Sequence, residues 1–416
     1  MNLMSNITLK RIGIPLCIFL AVACKSKSNN SSTPKDFHID KQLEYCVNQA
    51  SKTLKLIPDD KKSIPRNISN SGKEWNFVEY NDWTSGFWPG QLWYLYEYTH
   101  AETWKKQADK FSRYLTPLSI STAADHDLGF QVFNSFGNGY KLTKNLEYRD
   151  IVLKTADTLA SLFNPRVGTI LSWPRAVPNM DWPEHNTIID NMVNLELLFW
   201  AAKNGGDPKL YNMAVSHAEK TMKNHFRPDY TSYHVVVYNR ETGERIKRVT
   251  HQGYADDSMW ARGQAWAIYG YTMVYRETGD SKYIDFAHKI TKVYLDRLPK
   301  DLIPFWDFEA PNIPDEPRDA SAAAVVASAL LELSSLTKDS ILSQHYDDKA
   351  LAILKELSEN YQSGDSNYAS LKHSTGHKPA GNEIDYSINY ADYYYVEALL
   401  RAKKKAAGIS LLSPLP

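Results

Sequence analysis

His251-Gln252-Gly253-Tyr254-Ala255-Asp256-Asp257-Ser258-Met259-Trp260-Ala261-Arg262-Gly263-Gln264-Ala265-Trp266 concentrates polar, aromatic and small residues beyond what a core needs. Asp256, Asp257 and Ser258 are N-cap and first-turn residue types. Met259, Trp260, Ala261, Ala265, Trp266, Ala267, Tyr269 and Tyr271 then sustain a helix to about Glu277. Arg262 and Trp266 are four apart and share a face, while Gly263 and Ala265 leave the backbone approachable. His251 and Gln252 lie just ahead of the cap, near the positive end of the helix dipole, where an anion gains roughly 0.3–1 kcal/mol. A core helix with an Arg stacked on Trp would explain one such run. Its recurrence along the chain points instead to the wall of a binding site.

From about Asp36 the sequence reads as helix after helix, of two kinds. One is amphipathic and opens on a polar turn: Asn145…Tyr148…Ala156, Asp207…Tyr211…Ala214, Asp280…Tyr283…Ala287, Tyr346…Ala350. The other is aromatic and small-residue rich and opens on a polar cluster: Asp82-Trp83-Thr84, His126-Asp127, Ile189-Asp190-Asn191, Asp256-Asp257, Arg318-Asp319-Ala320-Ser321, Tyr390-Ala391-Asp392. These openings recur about 43 to 70 residues apart, the spacing of helical hairpins, and six hairpins can close into a toroid. The expectation is one all-α domain over 36–416, an (α/α)6 barrel whose inner helices run the same way and bring their openings to one mouth. A small β-hairpin insertion is expected at Thr231–Thr250 around Glu241-Thr242-Gly243, and short extended pieces at Val167–Trp173 and Leu302–Phe308.

The composition narrows the function. Lys plus Arg number 48 and Asp plus Glu 48, so no charge excess argues for nucleic acid or a membrane surface. With 11 Trp and 26 Tyr, the chain is rich in flat apolar faces with polar handles, which suit sugar rings. Lys10 and Arg11 precede the apolar run Ile12–Val22, which is too short to span a bilayer and has the form of a secretory signal. The small residues before Cys24 resemble the lipobox of bacterial lipoproteins, with Leu20 one place early. Residues 1–23 are therefore read as a lipoprotein signal peptide, Cys24 as the lipidation site and 24–35 as a polar tether. That address is an exported lipoprotein, in the periplasm or on the outer surface. Cys46 is left as a core thiol without a disulfide.

Asp127 and Asp190 stand at the starts of two expected inner helices, each beside apolar residues that dehydrate it. Two carboxylates across a cleft, one protonated and one charged, are what sugar cleavage requires. A lone Asp in this place is normally an N-cap. His126, Asn191, Gln252 and Arg262 have no capping duty, so capping does not explain the convergence. The twelve His are scattered, with neither HExxH nor CxxC, so no metal and no cofactor are expected.

Asp82-Trp83-Thr84-Ser85-Gly86-Phe87-Trp88-Pro89-Gly90, His126-Asp127-Leu128-Gly129-Phe130, Ile189-Asp190-Asn191-Met192-Val193-Asn194, His251–Trp266 and Tyr390-Ala391-Asp392-Tyr393-Tyr394 resemble, in order, signature segments of the unsaturated glucuronyl hydrolases. The resemblance covers about Asp36–Lys405 and implies an (α/α)6 barrel. It implies removal of a 4,5-unsaturated uronic acid from the non-reducing end of lyase-generated oligosaccharides, the expected partners. By motif, Asp190 would be the general acid/base and Asp127 the second essential carboxylate. Trp83, His126, Gln252, Arg262 and Trp266 would line the sugar pocket, with Trp173 and His234 at further pocket positions. Ser374-Thr375-Gly376-His377-Lys378 falls where family members recognise sulfate or the substrate carboxylate; Ser374 and Lys378 are the candidates there, although the spacing departs from the sulfate-binding form. Two alternatives stay open: an unsaturated rhamnogalacturonyl hydrolase acting on pectin fragments, and a lipid-anchored glycan-binding protein without catalysis.

The N-terminal reading makes its own prediction. Cys24→Ala should leave the precursor unprocessed or release the protein from membranes, as read by fractionation of cells exporting the full chain. Processing and membrane retention identical to wild type would remove the lipid anchor.

Overall fold

The computed structural model describes residues 37–59, 63–175 and 185–415; the expected signal peptide, Cys24 and the tether lie outside them. Helix α1 (Ile39–Leu54) is followed by α2 (Phe87–Thr99) and α3 (Glu102–Tyr114). A π-helical stretch, Gly129–Gly137, then runs directly into α4 (Asn138–Thr143). After α5 (Leu146–Ala160) come the pairs α6 (Asn191–Lys203) and α7 (Lys209–Asn224), α8 (Ala261–Thr278) and α9 (Ser281–Arg297), and α10 (Ala320–Leu336) and α11 (Ser340–Asn360), with α12 (Asn389–Ala406) last.

The contacts among these elements close a circle. Around it run α2, the π-helical stretch, α6, α8, α10 and α12, each touching the next, and α12 returns to α2. Outside lie α3 on α2, α5 on the π-helical stretch, α7 on α6, α9 on α8, α11 on α10 and α1 on α12. The sixth hairpin thus joins the two ends of the described chain, and the architecture is the expected (α/α)6 barrel. Sequence separates the two rings for a physical reason. An inner helix is enclosed on all sides, so residues Ala261–Val274 of α8 are buried without a break. An outer helix buries one stripe: in α3 that stripe is Trp104, Ala108, Phe111 and Ser112. One continuous apolar core runs through all the inner helices.

The small sheets are insertions at the mouth end. Val235–Tyr238 and Arg245–Val249 form the expected antiparallel hairpin, turning at Gly243 with φ +72°, and His185–Ile188 adds an unexpected third strand. Thr169–Ile170, within the extended piece expected at Val167–Trp173, pairs with Phe163–Asn164. In the other expected piece, Phe305 bridges Arg318 and Asp307 bridges Trp260. A sheet not expected from sequence joins Ile64–Ile68 to Asn76–Val78 and to Ser387–Ile388 at the entrance to α12.

One boundary is corrected. Helix α8 begins at Ala261, not at Asp256–Met259, and no side chain caps it. Asp256 accepts the Thr250 N–H at 2.8 Å, and Ser258 Oγ donates to Asp307 at 2.7 Å, so these residues tie an ordered loop. The first N–H of the helix is met from a distance, Ala261 N–H reaching Trp306 O at 3.1 Å. The other end is as expected, with α8 running to Thr278 and Gly279 left-handed at φ +71°.

Closure of the ring is tightest at Gly86, where α2 meets the π-helical stretch. A Cβ there would lie 2.2 Å from Gln131 O and 2.3 Å from Phe130 O, both backbone atoms with little room to yield. Gly86→Ala should therefore destabilise by about 1–3 kcal/mol or more, read as a lower urea midpoint with unchanged m-value.

Candidate active site

Parallel inner helices bring their N-terminal openings to one end of the barrel. A cavity of about 180 Å³ lies there, lined by Trp83, His126, Asp127, Trp173, Asp190 and Arg262 among others. That is below the roughly 300–1,000 Å³ of drug-sized pockets and suits one sugar ring.

The aspartates at the openings divide into two sets. Asp319 caps α10, accepting Ser321 N–H at 3.1 Å and Ala322 N–H at 3.4 Å. Asp82 accepts Thr84 N–H at 2.9 Å, and Asp392 binds the Ser370 and Leu371 N–H groups at 2.7 and 2.9 Å. Asp190 and Asp127 do none of this. Asp190 occupies the N-cap position of α6 with helical dihedrals and no side-chain cap bond, and its buried Oδ1 has no partner among the described residues. Asp127 precedes the π-helical stretch, which also lacks a side-chain cap, and its Oδ1 lies 3.5 Å from His126 Nε2. Capping therefore does not account for either carboxylate.

Burial sets their protonation. It pushes Asp190 up to about 7 against the opposing pull of the Arg262 guanidinium. Asp127 is raised well above the carboxylate range, first by burial, then by Asp125, then by Asp190. Like-charge repulsion thus acts on Asp127, and its larger source is Asp125. Asp125 accepts the Asp127 N–H at 3.0 Å, a partner the sequence reading missed. Buried His126 is held down to about 3, so it faces Asp127 as a neutral imidazole.

The walls come from four other elements. Trp83 lies 5.2 Å from the Tyr390 ring, tilted by 35°. Trp173 is half-buried and packs against His251 at 5.2 Å. Gln252 donates to Gly376 O at 3.1 Å. Both terminal nitrogens of Arg262 are engaged by protein: they donate to Asp319 at 2.7 Å, Thr375 O at 2.5 Å and Gly376 O at 2.6 Å, and the guanidinium stacks over Trp260 at 4.6 Å, while its buried Nε has no partner among the described residues. It lines the cavity and clamps the loop that forms the opposite wall.

Four expected pocket residues do not line the cavity. Trp266 is completely buried one turn deeper, wedged between Phe130 at 5.1 Å and Tyr394 at 5.3 Å. Sharing a helix face with Arg262 places it below the mouth, not in it. His234 sits behind the wall, where its Nδ1 accepts the His251 and Gln252 N–H groups at 3.0 and 3.1 Å and so fixes that loop. Ser374 is buried, its backbone paired with Tyr386 in the hairpin of the loop. Lys378 turns away to Glu316 and lies 5.1 Å from the Trp306 ring centroid. Conversely, Arg66, Arg175, Asn382 and Glu383 line the cavity without having been singled out. Arg66 stands in a five-residue strand and the others in loops, with no local pattern that marks them.

The profile of Glycosyl Hydrolase Family 88 matches residues 58–415. The chain belongs to that family. It is 42% identical over 389 residues to an unsaturated glucuronyl hydrolase of Formosa agariphila, covering 92% of this chain and 95% of the relative. To an unsaturated chondroitin disaccharide hydrolase of Streptococcus pneumoniae it is 35% identical over 333 residues, covering 79% and 83%. The crystal structure of an unsaturated glucuronyl hydrolase specific for heparin matches with a TM-score of 0.83 at 41% identity, over 90% of this chain and 98% of that one. The unsaturated glucuronyl hydrolase of Bacillus sp. GL1 matches at 0.81 and 30%, over 91% and 99%. This family 88 chain is a glycoside hydrolase, which sets aside the reading as a glycan-binding protein without catalysis.

The place of Trp266 is testable. Trp266→Ala should cost about 3–5 kcal/mol of stability, as for a large core aromatic, while KM of the protein that remains folded changes little. An unchanged melting temperature with a raised KM would return Trp266 to the pocket.

Proposed function

We propose that this family 88 hydrolase removes a 4,5-unsaturated uronic acid of the glucuronyl type from the non-reducing end of lyase-generated oligosaccharides, with Asp190 as proton donor. The observation that carries the assignment is the pair of buried carboxylates released from capping at the mouth, one of them held near 7. Resemblance of the chain to glucuronyl and chondroitin-disaccharide hydrolases supports the substrate class.

The chemistry follows from the substrate, a vinyl ether carrying a carboxylate. Asp190 protonates C4 and the positive charge develops at C5, stabilised by the ring oxygen. Asp190, now ionised, takes a proton from water as its oxygen bonds to C5. The resulting hemiketal opens and expels the rest of the saccharide, so the glycosidic bond breaks indirectly. Asp127, raised first by burial and then by its carboxylate neighbours, serves as the second carboxyl and hydrogen-bonds the substrate in the half of the cavity shared with His126. Trp83 and Trp173 offer the sugar their ring faces. Sequence features alone support the further reading that the enzyme is exported and anchored through Cys24.

Two outcomes follow. The general acid is competent only while protonated, so kcat/KM should fall as pH rises through about 7. Asp190→Asn, nearly isosteric, should fold normally yet lose roughly 10²–10⁴-fold in turnover. In heavy water the wild-type keto-sugar should carry one deuterium at C4, and ¹⁸O from water should enter at C5. Label at an anomeric carbon would make the enzyme a conventional glycosidase, and full activity in Asp190→Asn would remove the residue from the mechanism.

A further inference from the structure

Three guanidinium groups reach the catalytic cavity, and they differ in how far they are already committed. Arg262 is buried, with Asp319 and two carbonyls as its partners. Arg66 spans Asp82 and Glu383, using both edges of its fork. Of the lining imidazoles, His126 and His251 are driven down by burial to about 3 and about 4, and His377 is lowered as well, so none adds positive charge near neutrality.

Arg175 is different. Its side chain is 54% exposed, and its nearest charged partner among the described residues is Asp125 at 3.6 Å, outside N–H···O bonding range. It follows Trp173 by two residues, and both line the same cavity. Its charge is felt in the interior, where it opposes the upward shift of Asp127 and deepens the depression of His126 and His251. A planar fork whose N–H groups no described residue engages is suited to a bidentate oxyanion.

We propose that Arg175 is a specificity-determining, substrate-binding residue whose guanidinium, without a hydrogen-bond partner among the described residues and set at the cavity rim beside Trp173, receives an oxyanion of the substrate. This rests on the hydrolase reading above. The same chemistry has two sources on one molecule: the carboxylate of the unsaturated uronate, or a sulfate on the leaving sugar.

The test measures kcat and KM for the full-length enzyme, Arg175→Gln and Arg175→Lys at fixed ionic strength. Three unsaturated disaccharides are used: one with an uncharged leaving sugar, one with a sulfated leaving sugar, and the uronate methyl ester of the first. Wild-type turnover of the first compound checks the hydrolase reading separately, because that reading fails if none of the three is consumed. With half of its side chain in solvent, Arg175 can be replaced without opening the core, and thermal melts should coincide. Arg175→Gln should lower kcat/KM roughly ten- to hundred-fold, mainly through KM, with partial recovery in Arg175→Lys. A loss confined to the sulfated compound assigns the leaving sugar's oxyanion. A loss on both free acids but not on the ester assigns the uronate. Equal kcat/KM for wild type and Arg175→Gln on all three, or the same loss on the uncharged ester, would overturn the proposal.

Discussion

The active end of the barrel depends on the Arg262 guanidinium. From the first turn of α8 it binds the cap residue of α10 and two successive carbonyls of the loop at Thr375 and Gly376. A buried ion pair of this kind is weak evidence for stability, because desolvating both charges offsets their attraction. Its value here is geometric. Two inner helices are held in register at their N-termini, and the loop is drawn over the cavity so that Gly376, His377 and Glu383 form its far wall. The same positive charge faces Asp190. Burial alone would carry that carboxyl higher, and Arg262 pulls it back towards neutrality, where an acid can give up its proton and recover it in one turnover.

That arrangement leaves the aspartates of the mouth with separate duties. Asp319 both caps α10 and pairs with Arg262, and Asp82 and Asp392 satisfy backbone donors of nearby loops. Burial pushes Asp392 up to about 7 even against its two backbone donors, so a raised carboxyl alone does not make a catalytic acid; Asp392 is tied to the Ser370 and Leu371 N–H groups and does not line the cavity. Asp190 and Asp127 line the cavity with no cap bond, and burial raises both, opposed by Arg262 at Asp190 and by Arg175 at Asp127. The π-helical stretch after Asp127 belongs to the same constraint, because Gly129 lets it approach Asn194 of α6, whose Oδ1 accepts the Phe130 N–H at 2.8 Å. Two helix starts are thereby locked together next to the two carboxyls.

How much of this could be read from the chain follows from the range of the interactions. The ring was legible because enclosed and half-enclosed helices differ in composition along their whole length, and Asp127 and Asp190 because polar clusters recur at each inner start. The start of α8 was misplaced because Asp256 and Ser258 tie a loop instead of a helix, and the first helical N–H, that of Ala261, is met by Trp306, a partner with no local signature. Trp266 was misplaced because helical spacing gives a face but not a depth: one turn separates a residue at the mouth from one in the core. Arg66, Arg175 and Glu383 reach the cavity from a strand and loops whose positions are fixed only by the closed fold, so no spacing in the chain could have gathered them. Lys378 was legible as a cation but not as one already engaged by Glu316.

The histidines complete the electrostatic argument. His126, His234, His251 and His377 lie around one side of the site, and burial depresses all four. Were they charged, four cations would crowd Asp127 and Asp190, lower both pKa values and leave an ionised pair with no proton to deliver. As neutral rings they contribute hydrogen bonds and flat surfaces without adding charge. His234 accepts two backbone N–H groups, and His377 shares its Nε2 with the His251 carbonyl at 2.8 Å. The sign of the field inside the cavity is therefore left to the arginines and carboxylates, and the proton on Asp190 is retained by the dryness of its surroundings.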